Sequence, residues 1–265
     1  MGILKAISDI GLLREINEDY VFCSSHPKDQ NVKLLVVADG MGGKSQGDVA
    51  SQEVVANIEA WFYHEEVESL KTLENLDLRL EKRVKDLNKY LIEKYGRDVL
   101  GTTLTVAIVG YTKTLIYNVG DSRGYIYKNR ELTQITEDDS GVWIYYKDGD
   151  VSKDDLRFFP TNNFITACVG LNEDFCKSKS YVIPNDYDIL LLLTDGVTDL
   201  LSDNDIKKEL NKKRKKEILQ NIINKAVNKD LNVKVPMSFK RKFKNKFTVP
   251  LQGRDNASGV IYIKN

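Results

Sequence analysis

At 265 residues, 42% of them hydrophobic, the chain is long enough for one large or two small domains and apolar enough to bury a substantial core. Lys plus Arg equals Asp plus Glu at 39 each, so there is no global basic field of the kind that draws a protein to nucleic acid or a membrane, and neither is expected as a partner. Cys23, Cys168 and Cys176, with no CxxC pair, argue against a disulfide framework and a thiolate zinc site and point to a reducing compartment.

The longest uninterrupted apolar run, Ile189 to Leu193, is too short to span a bilayer. The N-terminus MGILKAIS lacks a signal-peptide core, and Ala6 stands where a myristoylation motif after Gly2 wants Ser or Thr. The expectation is a single cytoplasmic globular domain over 1–265.

The chain opens with strand-like segments at Ile3 to Ile7, Tyr20 to Cys23 and Lys33 to Ala38, separated by polar turns. A helix is predicted from an N-cap near Asp48, with Val54, Ile58, Trp61 and Phe62 on one face. A second helix carries Leu70, Leu73, Leu76, Leu80, Val84, Leu87 and Leu91 at steps of three and four, a stripe that fits core packing better than a coiled coil. Strands return at Thr103 to Val109, Thr114 to Val119, Gly124 to Tyr127, Tyr181 to Ile183 and Ile189 to Thr194. Helices follow near Ser202 to Leu210 and Lys215 to Val227, and GVIYI forms a last strand. The turn GYTK around Thr112 is too short for a parallel crossover, so the strands it joins are antiparallel. Grouped strands and helices suggest sheets with helices on their outer faces. Two basic stretches, KKRKK at 212–216 and KRKFKNK at 240–246 within an aperiodic segment 229–254, read either as solvated surface or as a docking patch for an acidic partner.

Three apolar strands each hand an aspartate to a small-residue turn: LLVVADGMGG at Asp39, IYNVGDSR at Asp121 and ILLLLTDG at Asp195. A fourth, Asp255, lies in GRDNASG before the last strand. A polar residue ending a buried strand sits at the rim of a core, and carboxylates gathered at one rim repel unless cations offset the charge. An all-oxygen set of Asp39, Asp195 and Asp255 favours Mg²⁺ or Mn²⁺, and two histidines, His26 and His64, cannot build a histidine-rich site. Any single Asp-Gly fits a hairpin turn better, and it is the recurrence after three apolar strands that favours a site. Upstream, DIGLLREINED holds Arg14, Asn17, Glu18 and Asp19. The Arg14 fork matches phosphate oxygens and Glu18 could orient a metal-bound water, or the two could form a surface salt bridge.

The ordered set DIGLLREINED, VVADGMGG, LGTTLT, NVGDSR, LLLTDG and RDNASGV resembles the bacterial PPM-type metal-dependent Ser/Thr protein phosphatases, the protein phosphatase 2C family, over Ser8 to Ile263. The resemblance implies an α+β fold, a four-layer αββα sandwich of two antiparallel sheets flanked by helices, with the metal site at one end. It implies that Asp39 bridges two Mn²⁺ or Mg²⁺ ions, that the Gly40 carbonyl binds one, and that Asp195 and Asp255 complete the other's shell. Glu18 would orient metal-bound water, Arg14 would hold the substrate phosphate, and Asp121 with Asp195 would bind a third, weaker ion. Paired cations roughly 3.5–4 Å apart would lower the pKa of a bridging water, so that hydroxide attacks phosphorus without a covalent phosphoenzyme. Implied partners are phosphoserine and phosphothreonine proteins and a cognate bacterial Ser/Thr kinase, with the phosphatase acting as a monomer in signalling.

Competing phosphatase chemistries do not fit. A cysteine phosphatase needs Arg six positions after Cys, where this chain has Asp29, Asp174 and Val182. A haloacid-dehalogenase motif is broken by Ile189 and Leu190 after Asp186 and Asp188. Departures from the family pattern remain. Met41 replaces the histidine of many animal members and cannot donate a proton. Asp138, Asp139 and Ser140 stand where DHS is usual. The flap, about 137–165, carries Trp143, Tyr145 and Tyr146, which either grip a phosphopeptide or pack the flap. Residues 229–254 read as a basic insertion. The Asp139 change and the insertion leave room for a second function class, a catalytically weak or inactive phosphoprotein-binding module on the same fold.

Overall fold

A computed structural model describes residues 2–42, 46–159, 164–228, 235, 239–240 and 254–264. In chain order it contains β1 (Ile3–Asp9), β2 (Asp19–His26), β3 (Asp29–Gly42), α1 (Gly47–His64), α2 (Val67–Thr72) and α3 (Leu76–Tyr95). Next come β4 (Leu100–Thr102), β5 (Leu104–Val109), β6 (Lys113–Val119), β7 (Arg123–Lys128), β8 (Glu131–Gln134) and α4 (Trp143–Lys147). The chain then forms β9 (Lys179–Pro184), β10 (Ile189–Leu193), α5 (Asp195–Thr198), α6 (Asp203–Leu210), α7 (Ile218–Asn228) and β11 (Ala257–Ile263), with 3₁₀ turns at Lys153–Phe158 and Lys215–Glu217.

Successive side chains of a strand point to opposite faces, and in β3 this period separates two cores. Leu34, Val36 and Ala38 pack with Val54, Val55, Ile58 and Phe62 of α1 and Leu80, Val84, Leu87 and Leu91 of α3. Leu35 and Val37 face the other way, into a layer completed by Leu190, Leu192 and Val260. On the far side Leu191 and Leu193 pack with Ile206 of α6 and Ile218, Leu219, Ile222 and Ile223 of α7. Strands with helices on one face and a second sheet on the other have no wet side, which is why they read as continuous apolar runs. The layers are therefore helix, sheet, sheet, helix. One sheet runs β1-β11-β10-β7-β8 and the other β2-β3-β5-β6-β9, with β4 added beside β3. All pairings between these strands are antiparallel, as expected.

Several expectations are corrected. The leucine-striped helix is two helices, because Leu73 and Asn75 adopt left-handed backbone at φ 60° and 50°. The break lets the Lys71 carbonyl accept the Tyr111 N–H at the β5–β6 turn. Asp48 lies in the first turn of α1 rather than capping it, and the N-cap is Gln46. The helix expected from Lys215 begins as a 3₁₀ turn and becomes α-helical at Ile218. Asp39 does not end its strand: β3 continues to Gly42 by pairing with β4. Neither β4 nor β8 was expected. Within 229–254, Val235 and Phe239 are buried with Trp143, Phe158 and Phe159, so this part of the segment is core rather than solvated surface. Residues 241–246 of the basic stretch lie outside the described residues. Among the described residues no helix is long and apolar enough to cross a membrane.

Candidate active site

The topology collects the acidic residues at one end of the sandwich. Asp19 opens β2 directly opposite Asp39 of β3. Asp195 follows β10, and Asp255 precedes β11, which pairs with β10 so that Leu193 faces Gly259. Close approach of these backbones depends on glycine at two positions. A Cβ on Gly40 would lie 2.0 Å from the Gly47 carbonyl oxygen, and one on Gly196 would lie 1.9 Å from that of Asn256. The Gly after each Asp thus lets one acid-bearing turn close on the next segment, a tighter need than a hairpin alone imposes.

Threonines of LGTTLT fix Asp39: its N–H donates to Thr103 Oγ1 at 2.9 Å, and its carbonyl accepts from the Thr103 N–H and the Thr102 hydroxyl, both at 2.9 Å. Asn256 ties the upstream motif to the last strand. Its Oδ1 accepts the Glu18 N–H at 2.8 Å, and its Nδ2 donates to the carbonyls of Ile10 at 2.9 Å and Ile16 at 3.1 Å. Arg14 reaches Asp255 Oδ1 at 2.8 Å and Glu18 Oε2 at 3.3 Å. The salt-bridge reading of Arg14 and Glu18 is therefore correct as geometry, and it puts the guanidinium at the edge of the acidic cluster.

Burial and mutual repulsion act together on these acids. Burial first, then the charges of Asp195 and Asp19, holds Asp39 well above the usual carboxylate range. Asp195 is pushed up to about 6 by burial and by Asp255. Asp121 rises through burial and through Asp195, Asp138 and Asp199. The chain thus brings together Arg14, Glu18, Asp39, Gly40, Asp195 and Asp255, with Asp121 coupled to the set through Asp195.

Two acids were not singled out from sequence as site residues. Asp19 is buried, its Oδ2 accepts from the Thr194 hydroxyl at 2.9 Å, and burial with the charge of Asp195 raises it strongly. Its position after Glu18 was the available signal. Asp199, one helical turn beyond Asp195, is pushed up to about 8 by burial and the Asp195 charge. A small cavity of about 20 Å³ lies among Asp121, Asp195, Asp199, Asp138, Ser140 and Arg157, room for about one water-sized occupant.

The donor set fits hard divalent cations. It is all oxygen, the acids are held against their own repulsion, and the buried Oδ1 atoms of Asp19 and Asp195 have no hydrogen-bond partner. Among the described residues no three His, Cys, Asp or Glu side chains already converge as a finished shell. One Asp255 oxygen is taken up by the Arg14 guanidinium at 2.8 Å.

Asp139, in place of the usual histidine, accepts the Gly120 N–H at 3.1 Å and pairs with Lys179. Asp138 is held by buried Arg123 through Nε at 2.9 and 3.0 Å and Nη2 at 2.6 Å. Both aspartates thus brace the turn that carries Asp121. In the aromatic segment Trp143 is buried and Tyr145 stacks on Phe159 at 4.8 Å, while Tyr145 and Tyr146 stay partly exposed, so packing and surface roles are divided among them. Burial raises the thiols of Cys23 and Cys176 to about 11 and that of Cys168 to about 12, which leaves no ready thiolate nucleophile.

Comparison with known proteins gives a consistent picture. The family model described as Protein phosphatase 2C matches residues 14–232. Serine/threonine phosphatase stp of Listeria monocytogenes serotype 4b (strain F2365) is 36% identical over 209 residues, covering 76% of this chain and 80% of the relative. The crystal structure of serine/threonine phosphatase Stp1 from Staphylococcus aureus superposes with a TM-score of 0.79 at 27% identity, covering 100% of this chain and 96% of that one. The catalytic domain of serine threonine protein phosphatase PstP, solved in complex with two manganese ions, gives a TM-score of 0.73 at 25% identity, covering 99% and 97%.

Proposed function

The chain belongs to the protein phosphatase 2C family and is a phosphoprotein phosphatase, and from that premise we propose that it hydrolyses phosphoserine and phosphothreonine at the acidic end of the sandwich. The observation that carries this reading is the set of buried, mutually repelling carboxylates of Asp39, Asp195 and Asp19 beside the Arg14 guanidinium. Repulsion of this kind is tolerated where cations are to be held.

Asp39, Asp195, Asp255 and the Gly40 carbonyl would hold two Mn²⁺ or Mg²⁺ ions, with Glu18 orienting water at their edge. Asp121 and Asp195, helped by Asp199, would hold a third. Such ions supply Lewis-acid activation of water and screening of phosphate charge. The protein's own contribution is positional and electrostatic. Arg14, already aligned by Asp255 and Glu18, binds two phosphate oxygens with its planar fork. Thr102 and Thr103 keep Asp39 in one orientation. Asp19, which accepts the Thr194 hydroxyl, adds to the cost of charge on Asp39 that a bound cation would relieve. Met41 has no proton to give, so the leaving oxygen takes its proton from water.

The flap expected at about 137–165, of which residues 160–163 lie outside the described residues, would border this site, and the whole of 1–265 would act as one catalytic unit. We place the protein in the cytoplasm as a monomer that opposes a Ser/Thr kinase in signalling.

The test is hydrolysis of p-nitrophenyl phosphate and a phosphothreonine peptide with Mn²⁺, with Mg²⁺ and with EDTA, for the parent and Asp195→Asn. Metal-dependent turnover lost in the variant is the expected result. A folded protein that binds the phosphopeptide under saturating Mn²⁺ without turnover would overturn it in favour of a noncatalytic binding module.

A further inference from the structure

Between β1 and β2 the chain makes a loop whose composition does not suit its exposure. Ile10, Leu12, Leu13 and Ile16 are 39%, 59%, 63% and 38% exposed, and all fall within seven residues. Single exposed apolar residues are ordinary. Four together on a turn, where polar residues usually stand, form a patch that calls for a partner.

The loop is fastened at both ends. The Asp9 carboxylate accepts the Gly11 N–H at 2.9 Å, with Gly11 at φ 79°. The Asn256 amide bridges the carbonyls of Ile10 and Ile16. Leu12 and Leu13 are thus presented at the tip of an anchored loop. The next residue is Arg14, whose guanidinium is held at Asp255 and Glu18. The exposed leucines immediately precede Arg14 in the same anchored loop, which puts them within reach of the residues beside a phosphate held on Arg14. The exposed charge flanking Arg14 on its other side is Glu15, which disfavours acidic neighbours.

We propose that the Ile10–Ile16 loop is a specificity surface that selects substrates with aliphatic or aromatic residues next to the phosphoserine or phosphothreonine. This rests on the reading of Arg14 as the phosphate-binding group. Burial of the substrate's apolar side chain against the two leucines supplies the selectivity, and it acts on binding rather than on the chemical step.

The test compares three proteins, the parent, Leu12→Ser/Leu13→Ser and Leu12→Met/Leu13→Met, in Mn²⁺. The substrates are p-nitrophenyl phosphate and two phosphothreonine peptides that differ only in having Leu and Val, or Ser and Gly, beside the phosphorylated residue. The parent is expected to prefer the apolar peptide by about tenfold in kcat/KM, mostly through KM. The serine variant loses the preference, the methionine variant retains it, and p-nitrophenyl phosphate, which has no flanking residues, is hydrolysed alike by all three. Equal kcat/KM for the two peptides in the parent, or a preference that survives in the serine variant, overturns the proposal. Failure of the parent to hydrolyse any of the three substrates overturns the phosphatase reading itself, and this proposal with it.

Discussion

Burial raises the pKa of both Asp39 and Asp195; the charges of Asp195, Asp19 and Asp255 raise Asp39 further, and that of Asp255 raises Asp195, which Asp39 in turn steadies through a hydrogen bond. Replacing Asp195 by its amide therefore acts in opposite directions on activity and on the stability of the metal-free protein. Asp39→Asn and Asp195→Asn are expected to lower kcat by at least about a hundredfold. In EDTA at pH 8 Asp195→Asn is expected to melt about 2–4 °C higher than the parent, because a buried charge that is raised to about 6 and ionised at that pH is gone. A calorimetric scan that found this variant less stable would mean the acid is held by attractive contacts instead. Arg14→Lys replaces a planar fork with a point charge, and we expect roughly a tenfold loss in kcat/KM for phosphopeptide. Gly196→Ala has no space for its methyl group, since the Asn256 carbonyl oxygen would be 1.9 Å away. The turn must open, with a stability loss of about 1–3 kcal/mol in urea unfolding and a larger proportional loss of activity, because Asp195 moves with the backbone.

At the scale of elements, Asn256 joins three parts of the chain: the end that leads into β11, the Ile10–Ile16 loop and the backbone of Glu18. Asn256→Ala removes three hydrogen bonds at one stroke. Faster amide exchange confined to residues 10–18, with KM for phosphopeptide rising more than kcat falls, is the expected outcome, and exchange unchanged in that loop would refute the clamp. This contact joins residues some 240 apart in sequence, and no local pattern reveals it. What is legible locally are the apolar runs of β3, β5, β6 and β10, the stripes of α1 and α3, and Asp39, Asp121, Asp195 and Asp255 as acids beside such strands, although β3 runs on past Asp39. The break between α2 and α3 was hidden because Leu73 preserves the leucine spacing while its backbone is left-handed. Strand β4 has three residues, Leu100–Thr102, and exists because β3 runs on past Asp39 to pair with it. Asp199 has no local signal, and Asp19 has only its place after Glu18 in DIGLLREINED, because local sequence does not tell a buried acid from a solvated one. Burial first, and then the tertiary approach of Asp195, raises both.

For the molecule as a whole, the acidic end is a store of unfavourable charge that links folding to both pH and divalent cations. Asp199, raised to about 8, and Asp195, raised to about 6, bind protons in the folded state over a range where an unfolded aspartate, with its ordinary value of 3.8, does not. Between those limits the folded chain carries more protons than the unfolded chain, so stability must fall as pH rises. The contribution is fully present below about pH 4, fades through pH 6 as Asp195 ionises, and is gone above pH 8 once Asp199 has ionised as well. A ligand that binds only the folded state stabilises it in proportion to the logarithm of its concentration over its dissociation constant. Divalent cations must compete with protons for these same carboxylates. Metal-free protein is thus expected to melt at a higher temperature at pH 5.5 than at pH 8.5, and Mn²⁺ to raise the melting temperature more at pH 8.5 than at pH 5.5. Asp199→Asn should flatten the metal-free profile between pH 6 and 8, since the group that titrates there is removed. Melting curves at a series of pH values, with EDTA and with Mn²⁺, measure all three effects together. If the metal-free protein instead gained stability on going from pH 5.5 to 8.5, its carboxylates would be paired rather than repelling, and the acidic end would be a salt-bridged structural feature rather than a cation site.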